Sequence, residues 1–258
     1  MFFYPQTVPN TIATAFAAMG LLDAYELSGE ERALDLAVGA AEFFARHVPQ
    51  TASGQGAYFG YLPGDRTPIH NASMLVCALF ARLARLLGRD DLALRASAGV
   101  EYTVSHQRAD GSWPYGETPG LSWVDGFHTG YVLDCLLTCV ESGISGSHAE
   151  HAWRRGLRFY VEALVDPDGT PRYKPESRYP VDGLCAAQAI QTLARATRLE
   201  PTLSARCWSV FSCARDRLAR RDGAFAFERE RLWLNPTAHP RWVQAPMLTA
   251  LTHLIGTA

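Results

Sequence analysis

The sequence predicts an all-α fold: an α/α toroid of helical hairpins, about nine helices in an inner and an outer ring, forming one domain over residues 1–258. Three observations carry that expectation. A short turn followed by aromatic residues recurs at Gln55–Tyr61, Asp110–Tyr115, Asp168–Tyr173 and Asp222–Phe227, with the Asp-Gly steps 58 and 54 residues apart. That period leaves room for two helices and a long loop, more than the roughly 40–47 residues of a HEAT repeat. Between the turns, segments with one apolar face alternate with segments that are apolar nearly all round. Finally, 48% hydrophobic and 19% charged residues supply a sizeable core and too little charge for disorder.

Thr11–Tyr25 is the first all-round apolar segment, preceded by Asn10 as a cap. Glu31, Asp35, Glu42 and Arg46 then form a polar stripe opposite Leu34, Ala37, Ala41 and Phe44. Met74–Leu87 and Thr129–Val140 are again apolar. Glu150, Arg154, Arg158 and Glu162 oppose Trp153, Leu157 and Val161, and Gly183–Leu199 and Trp242–Ile255 complete the apolar set. A helix without a polar face is expected to be buried on every side. These five therefore form the inner ring, starting near residues 11, 71, 128, 183 and 242, with four amphipathic helices outside. Nine helices are fewer than a closed six-hairpin ring needs, so the ring is expected to be open or to lack a hairpin and a half. The flanks of its first and last inner helices leave apolar surface for each other, or for a second copy in a homo-oligomer, to cover.

A formal net charge of −2 with no basic block excludes nucleic acid as an expected partner. The 24 Lys and Arg residues include a single lysine, Lys174. The N-terminal segment has no basic residue ahead of its apolar ones and carries Pro5 and Pro9, so no export signal is expected. The charge-free stretches Met74–Ala81 and Trp242–Ala258 are too short or broken by Pro246, and no membrane span is expected. Cys77, Cys135, Cys139, Cys185, Cys207 and Cys213 sit inside apolar helical patterns with no metal-ligand spacing. They read as buried, reduced thiols of a cytoplasmic protein, with no metal. Walker A, GxSxG, HExxH and GxGxxG motifs are missing, and no cofactor is expected.

A toroid gathers the inner-helix N-termini at one mouth of a central cavity, where unpaired amides and a partial positive charge suit hydroxyl-rich or anionic ligands. The entries hold Tyr4 and Asn10; Tyr61, His70 and Asn71; Trp113, Tyr115, Glu117, Trp123, Asp125 and His128; Tyr173, Lys174, Arg178, Tyr179 and Asp182; and Arg241, Trp242 and Gln244. Glu117, Asp125, His128, Tyr179 and Asp182 are the candidate acids and bases, since carboxylates, imidazole and phenol can move protons. The others are candidate binding residues, with aromatic faces to stack on sugar rings and Lys174, Arg178 or Arg241 to meet a carboxylate. For Asn10, Asn71, Thr129 and Asp182 the plainer role is helix capping. The plainer reading of the Asp125–His128 pair is a cap and a loop hydrogen bond.

Gln107–Trp113 fits the QxxxGxW turn of triterpene cyclases. The Asp-x-Asp-Asp acid of a protonating cyclase is missing, however, because Asp90-Asp91 and Asp166-Pro-Asp168 have the wrong pattern, so the motif bears on fold alone. Pro9–Thr14, Asn71–Ser73, Trp123–Gly130, Tyr179–Gln188 and Arg241–Met247 coincide with the inner-helix entries. In these segments the chain resembles α/α-toroid proteins of bacterial polysaccharide-assembly loci, which are distantly similar to the helical domain of D-glucuronyl C5-epimerases. The resemblance implies a carbohydrate ligand, a uronic acid among the choices, and transfers no mechanism. The chain lacks the β-rich N-terminal part of those epimerases, whose catalytic tyrosines Tyr115, Tyr173 and Tyr179 match in type only.

The leading functional expectation is an enzyme that modifies a glycan or uronic acid by acid/base chemistry, as an epimerase, lyase or hydrolase. C5 chemistry needs a base and an acid near the carbon-bound proton and a cation on the carboxylate, whereas hydrolysis needs two carboxylates flanking the bond, for which Glu117, Asp125 and Asp182 are the candidates. A terpenoid-cyclase-like small-molecule enzyme and a non-catalytic glycan-binding subunit are the alternatives.

Overall fold

The computed structural model describes residues 7–257, and Tyr4 lies outside them. Among the described residues there are nine α-helices: α1 (Thr11–Ser28), α2 (Glu31–His47), α3 (His70–Leu87), α4 (Asp90–Ser105), α5 (Gly126–Glu141), α6 (Gly146–Ala163), α7 (Gly183–Ala196), α8 (Ser204–Leu218) and α9 (Ala245–Ile255). Five two-residue strands lie in the connections. β1 (Thr51–Ala52) pairs antiparallel with β2 (Ala57–Tyr58). β3 (Val181–Asp182), β4 (Glu228–Arg229) and β5 (Leu234–Asn235) form a three-stranded ribbon in that order. No helix among the described residues is long and apolar enough to cross a membrane.

The repeating turns have one physical basis. Asp110 Oδ1 accepts the amide and hydroxyl of Ser112, Asp168 Oδ1 those of Thr170, and Asp222 Oδ1 the amide of Ala224. The intervening glycines have φ of +93°, +84° and +83°, a left-handed conformation that side chains resist. Each Asp-Gly step is thus a side-chain-closed turn. Two of the turns share a backbone pattern: Arg172 donates to Leu164 and Asp166 to Thr170, and 54 residues later Ala226 donates to Leu218 and Arg220 to Ala224.

The aromatic residue after each turn closes its hairpin. The first amides of α1, α3, α5 and α7, those of Thr11, His70, Gly126 and Gly183, donate to the carbonyls of Tyr61, Tyr115, Tyr173 and Phe227 at 2.9, 3.1, 2.9 and 2.8 Å. A helix start leaves such amides without intrahelical partners, and these carbonyls satisfy them. Three starts add a side-chain cap: Asn10, Asp125 and Asp182 accept the amides of Ala13, His128 and Cys185. Each such cap contributes about 1 kcal/mol. Helix α3 has Ile69 at that position and no side-chain cap. Asn71 and Thr129, read as caps from the sequence, lie inside α3 and α5 because both helices begin before them.

The chain forms two compact units: Met1–Ala109 with Trp113–Trp123 and Cys135–Arg154, and Asp110–Ser112 with Val124–Asp134 and Arg155–Ala258. In the first, α3 is buried along nearly its whole surface, with Met74, Leu79, Phe80 and Leu83 fully enclosed. Each such side chain contributes roughly 1.5–3 kcal/mol of hydrophobic stabilisation. Arg82 of α3 pairs with Asp23 and Glu26 of α1. In the second, α7 is buried in the same way between α8 and α9.

Two of the five all-round apolar helices depart from the expected burial. Helix α1 buries only Thr11, Ala15, Ala18 and Leu22, and α9 only Met247, Ala250 and Leu254. Phe16, Leu27, Leu248 and Ile255 are exposed. Apolar composition determines what surroundings a helix tolerates, whereas burial depends on how many neighbours it has, and these two stand at the ends of the helix order. Helix α9 also starts later than residue 242, because Pro240–Gln244 forms a π-helical turn.

Candidate functional site

The first unit holds a buried histidine paired with a carboxylate. His70, the first residue of α3, is fully buried, and its Nε2 lies 2.7 Å from Glu117 Oε1. Nδ1 makes a long contact of 3.4 Å with the Thr103 hydroxyl, and the ring stacks on Tyr102 at 5.6 Å. Burial depresses the His70 pKa despite the opposing pull of Glu117. A neutral imidazole facing a carboxylate oxygen must carry its proton on Nε2, which leaves Nδ1 to accept from Thr103. Glu117 in turn is held below the usual glutamate range, first by the hydrogen bond from His70. Its side chain is 29% exposed, and its Oε2 makes no hydrogen bond among the described residues. Beside it, Tyr115 and Trp123 stack at 4.7 Å and 13°, with Tyr61 half-buried against the same cluster.

The second unit holds the complementary arrangement, with the carboxylate buried and the histidine presented. Asp125 Oδ1 caps α5 through the His128 amide at 2.9 Å, and its Oδ2 lies 2.6 Å from His128 Nδ1. Asp125 is 1% exposed, and the His128 side chain 20%. The imidazole packs on Phe127 at 3.9 Å, with Tyr131 and Tyr173 completing an aromatic wall around Phe127. The α5 start can lie this close to the 172–173 backbone because residue 126 is glycine: a Cβ there would stand 2.5 Å from the Arg172 carbonyl oxygen.

Asp182 is buried at 6% exposure, caps α7 and pairs in register with Glu228, and burial pushes its carboxyl up to about 6. Tyr179 and Tyr173 are half-buried. Arg178 pairs with Asp166 and Asp168, and Arg172 also holds Asp166, so this arginine braces its own loop. Lys174 is exposed. Trp113 is enclosed, its indole N–H donating to the Thr103 carbonyl at 2.8 Å. Gln244 is spent on the Phe225 backbone, accepting from its amide and donating to its carbonyl. Arg241 lies over the half-exposed Trp242 ring. Asn10 caps α1, and Asn71 is 3% exposed with an Oδ1 that has no hydrogen-bond partner among the described residues.

Sequence reasoning missed Tyr102 and Thr103, which support His70 from the buried face of α4. It also missed Asp134. This buried carboxylate accepts from Gln188 and Gln191 at 2.9 and 2.7 Å, and its carbonyl accepts from Arg195. A polar residue every three or four positions on α7, at Gln188, Gln191, Thr192 and Arg195, was the available signal.

No protein-family model and no curated protein matches the chain. Solved structures do. Cellobiose 2-epimerase from Bacillus thermoamylovorans aligns over 96% of this chain and 71% of its own at 12% identity and a TM-score of 0.75. The GH76 α-mannanase of Bacteroides thetaiotaomicron aligns over 98% and 70% at 12% identity and 0.74. An unsaturated glucuronyl hydrolase from Bacillus sp. GL1, responsible for glycosaminoglycan degradation, aligns over 94% and 73% at 16% identity and 0.72. At such identities the likeness bears on the fold alone: this chain is an α/α toroid, distantly similar to those of sugar-processing enzymes.

Proposed function

We propose that the protein is a carbohydrate-modifying enzyme that works by acid/base chemistry, with His128, oriented by Asp125, as the proton-transferring group. The 2.6 Å contact between His128 Nδ1 and a buried carboxylate carries this reading. A carboxylate there fixes the ring and its tautomer and leaves Nε2 as the basic nitrogen, the arrangement a general base needs. The sugar-processing enzymes among the fold's neighbours support the substrate class.

Within that class, proton transfer at a sugar carbon, of epimerase or lyase type, fits better than hydrolysis. A glycosidase uses two presented carboxyl groups. Of the three candidates, Asp125 and Asp182 are buried and committed to caps, and only Glu117 is presented. For a uronate, Arg241 and Lys174 are the accessible cations to meet the carboxylate, since Arg178 is held by Asp166 and Asp168.

The test is turnover in D2O of a panel containing cellobiose and glucuronate-terminated disaccharides, followed by proton NMR. An epimerase should place deuterium at a sugar carbon and a lyase should release an unsaturated uronate, and His128→Ala should slow either reaction by about 100-fold or more. Release of saturated free sugars without label would instead make the protein a hydrolase.

A further inference from the structure

We infer that His70 is a positioning residue that fixes Glu117 as an ionised carboxylate with one oxygen presented to a sugar hydroxyl. The inference deepens the function proposed above and rests on it for the ligand class. The repeat is broken at α3. Four helix starts share the same amide-to-carbonyl closure, and their first residues are Thr11, His70, Gly126 and Gly183. At Gly126 and Gly183 a Cβ would come within 2.5 and 2.9 Å of the Arg172 and Ala226 carbonyl oxygens, so a side chain would have to displace backbone. Thr11 spends its hydroxyl on the Gly60 carbonyl. Only α3 places a large, polar, fully buried side chain there, and the same helix lacks the side-chain cap of the other three.

Burying an imidazole is unfavourable unless its nitrogens find partners, and each does: Thr103 on one side, Glu117 on the other. Glu117 stands two residues beyond Tyr115, where the other hairpins carry Pro63, Pro175 and Arg229. The pair is therefore a property of this hairpin and not of the repeat. Because His70 is neutral and donates its one proton to Oε1, Glu117 keeps its negative charge and its orientation. Oε2, on a partly exposed side chain two residues beyond Tyr115, whose ring stacks on Trp123, is left to accept from a ligand. A hydroxyl that donates to a carboxylate while its ring lies on an aromatic face describes a sugar. The other titratable groups facing Glu117 are Tyr102, His106 and Arg108.

The experiment combines NMR with kinetics on the full chain. 15N-histidine spectra should show His70 neutral and protonated on Nε2 at pH 7, and the 13C carboxyl signal of Glu117 should titrate below the ordinary glutamate range. In His70→Ala that midpoint should move up, and in His70→Gln, whose amide can still donate, it should move back. Turnover of the disaccharide panel should fall about 10–100-fold in His70→Ala, through kcat more than KM, and recover in part in His70→Gln. If His70→Ala does not fold, Glu117→Gln, at a partly exposed position, should show the same loss of turnover. An imidazolium or an Nδ1–H tautomer at pH 7, or an unmoved Glu117 titration in His70→Ala, overturns the pairing even if turnover is intact. A titration that moves as expected in a protein that processes no sugar on the panel overturns the proposed function and the hydroxyl-accepting role, and leaves the pairing standing.

Discussion

Asp125 spends one carboxylate oxygen on the backbone and the other on the side chain of the same residue, His128, at 2.9 and 2.6 Å. Elsewhere in the repeat the cap residue meets an alanine or a cysteine three positions on, so nothing is oriented by it that could act as a strong base: Asn10 meets Ala13, and Asp182 meets Cys185. A structural cap shared by three hairpins has acquired a chemical partner in one.

Separating those two roles gives the first prediction. Asp125→Asn retains an oxygen for the His128 amide, and Asn caps helices about as well as Asp, so thermal stability should change by about 1 kcal/mol or less. The amide turns its NH2 toward Nδ1, which must then accept, and the imidazole proton moves to Nε2. Turnover should fall by about 10–100-fold while the melting temperature holds. A large loss of stability with unchanged turnover would make the pair structural.

Asp182 should show itself in the pH dependence of stability. Folding raises its carboxyl from 3.8 to about 6, so the folded state binds its proton more tightly than the unfolded state. That contribution is complete below about pH 3.8 and is lost as the pH rises through about 6, a difference of about 2–3 kcal/mol. Asp182→Asn keeps the cap and removes the titration. In urea unfolding the variant should gain on the parent between pH 4 and pH 8, and a gap that does not change with pH would show that burial does not shift this carboxyl.

The turn-aromatic repeat was legible in the sequence because Asp-Gly turns and the rings after them are side-chain features with a fixed spacing. Its purpose was not, because Tyr61, Tyr115, Tyr173 and Phe227 act through their carbonyls, which leave no trace in residue type. The Asp125–His128 pair was legible since i and i+3 positions at a helix start face each other. His70 opens α3, at an entry where the sequence predicts a binding residue, and its burial is what the sequence does not show. Its burial depends on Tyr102 and Thr103, more than 30 residues away, and no local pattern reports that contact.

Trp123 lies over Tyr115, and the two rings are parallel within 13°. Trp123→Ala removes the partly exposed ring that covers Tyr115, itself only 4% exposed in the parent. If this stack is the platform for a sugar, the affinity for cellobiose or a glucuronate disaccharide should drop by about tenfold, in keeping with roughly 1–1.5 kcal/mol for an aromatic stack, with kcat little changed. Isothermal titration calorimetry with the parent and the variant decides it, and equal affinities would remove Trp123 from the binding surface.

The hairpin closure predicts a contrast among glycine-to-alanine substitutions. In the interior of a helix such a change normally stabilises by about 0.5–1 kcal/mol, and Gly20 in α1, where a Cβ would meet nothing within 4 Å, should behave that way. Gly126→Ala and Gly183→Ala meet carbonyl oxygens at 2.5 and 2.9 Å instead. To admit the methyl group the helix start must move off the Tyr173 or Phe227 carbonyl, at a cost of about 1–3 kcal/mol. Gly126→Ala also shifts His128, two residues on, so it should lose turnover as well as stability, whereas Gly183→Ala should lose stability through the α7 start. Thermal unfolding of the three variants beside one another tests the closure directly: a common stabilisation would mean that these backbone contacts yield freely, and the hairpins would then owe their closure to side-chain packing.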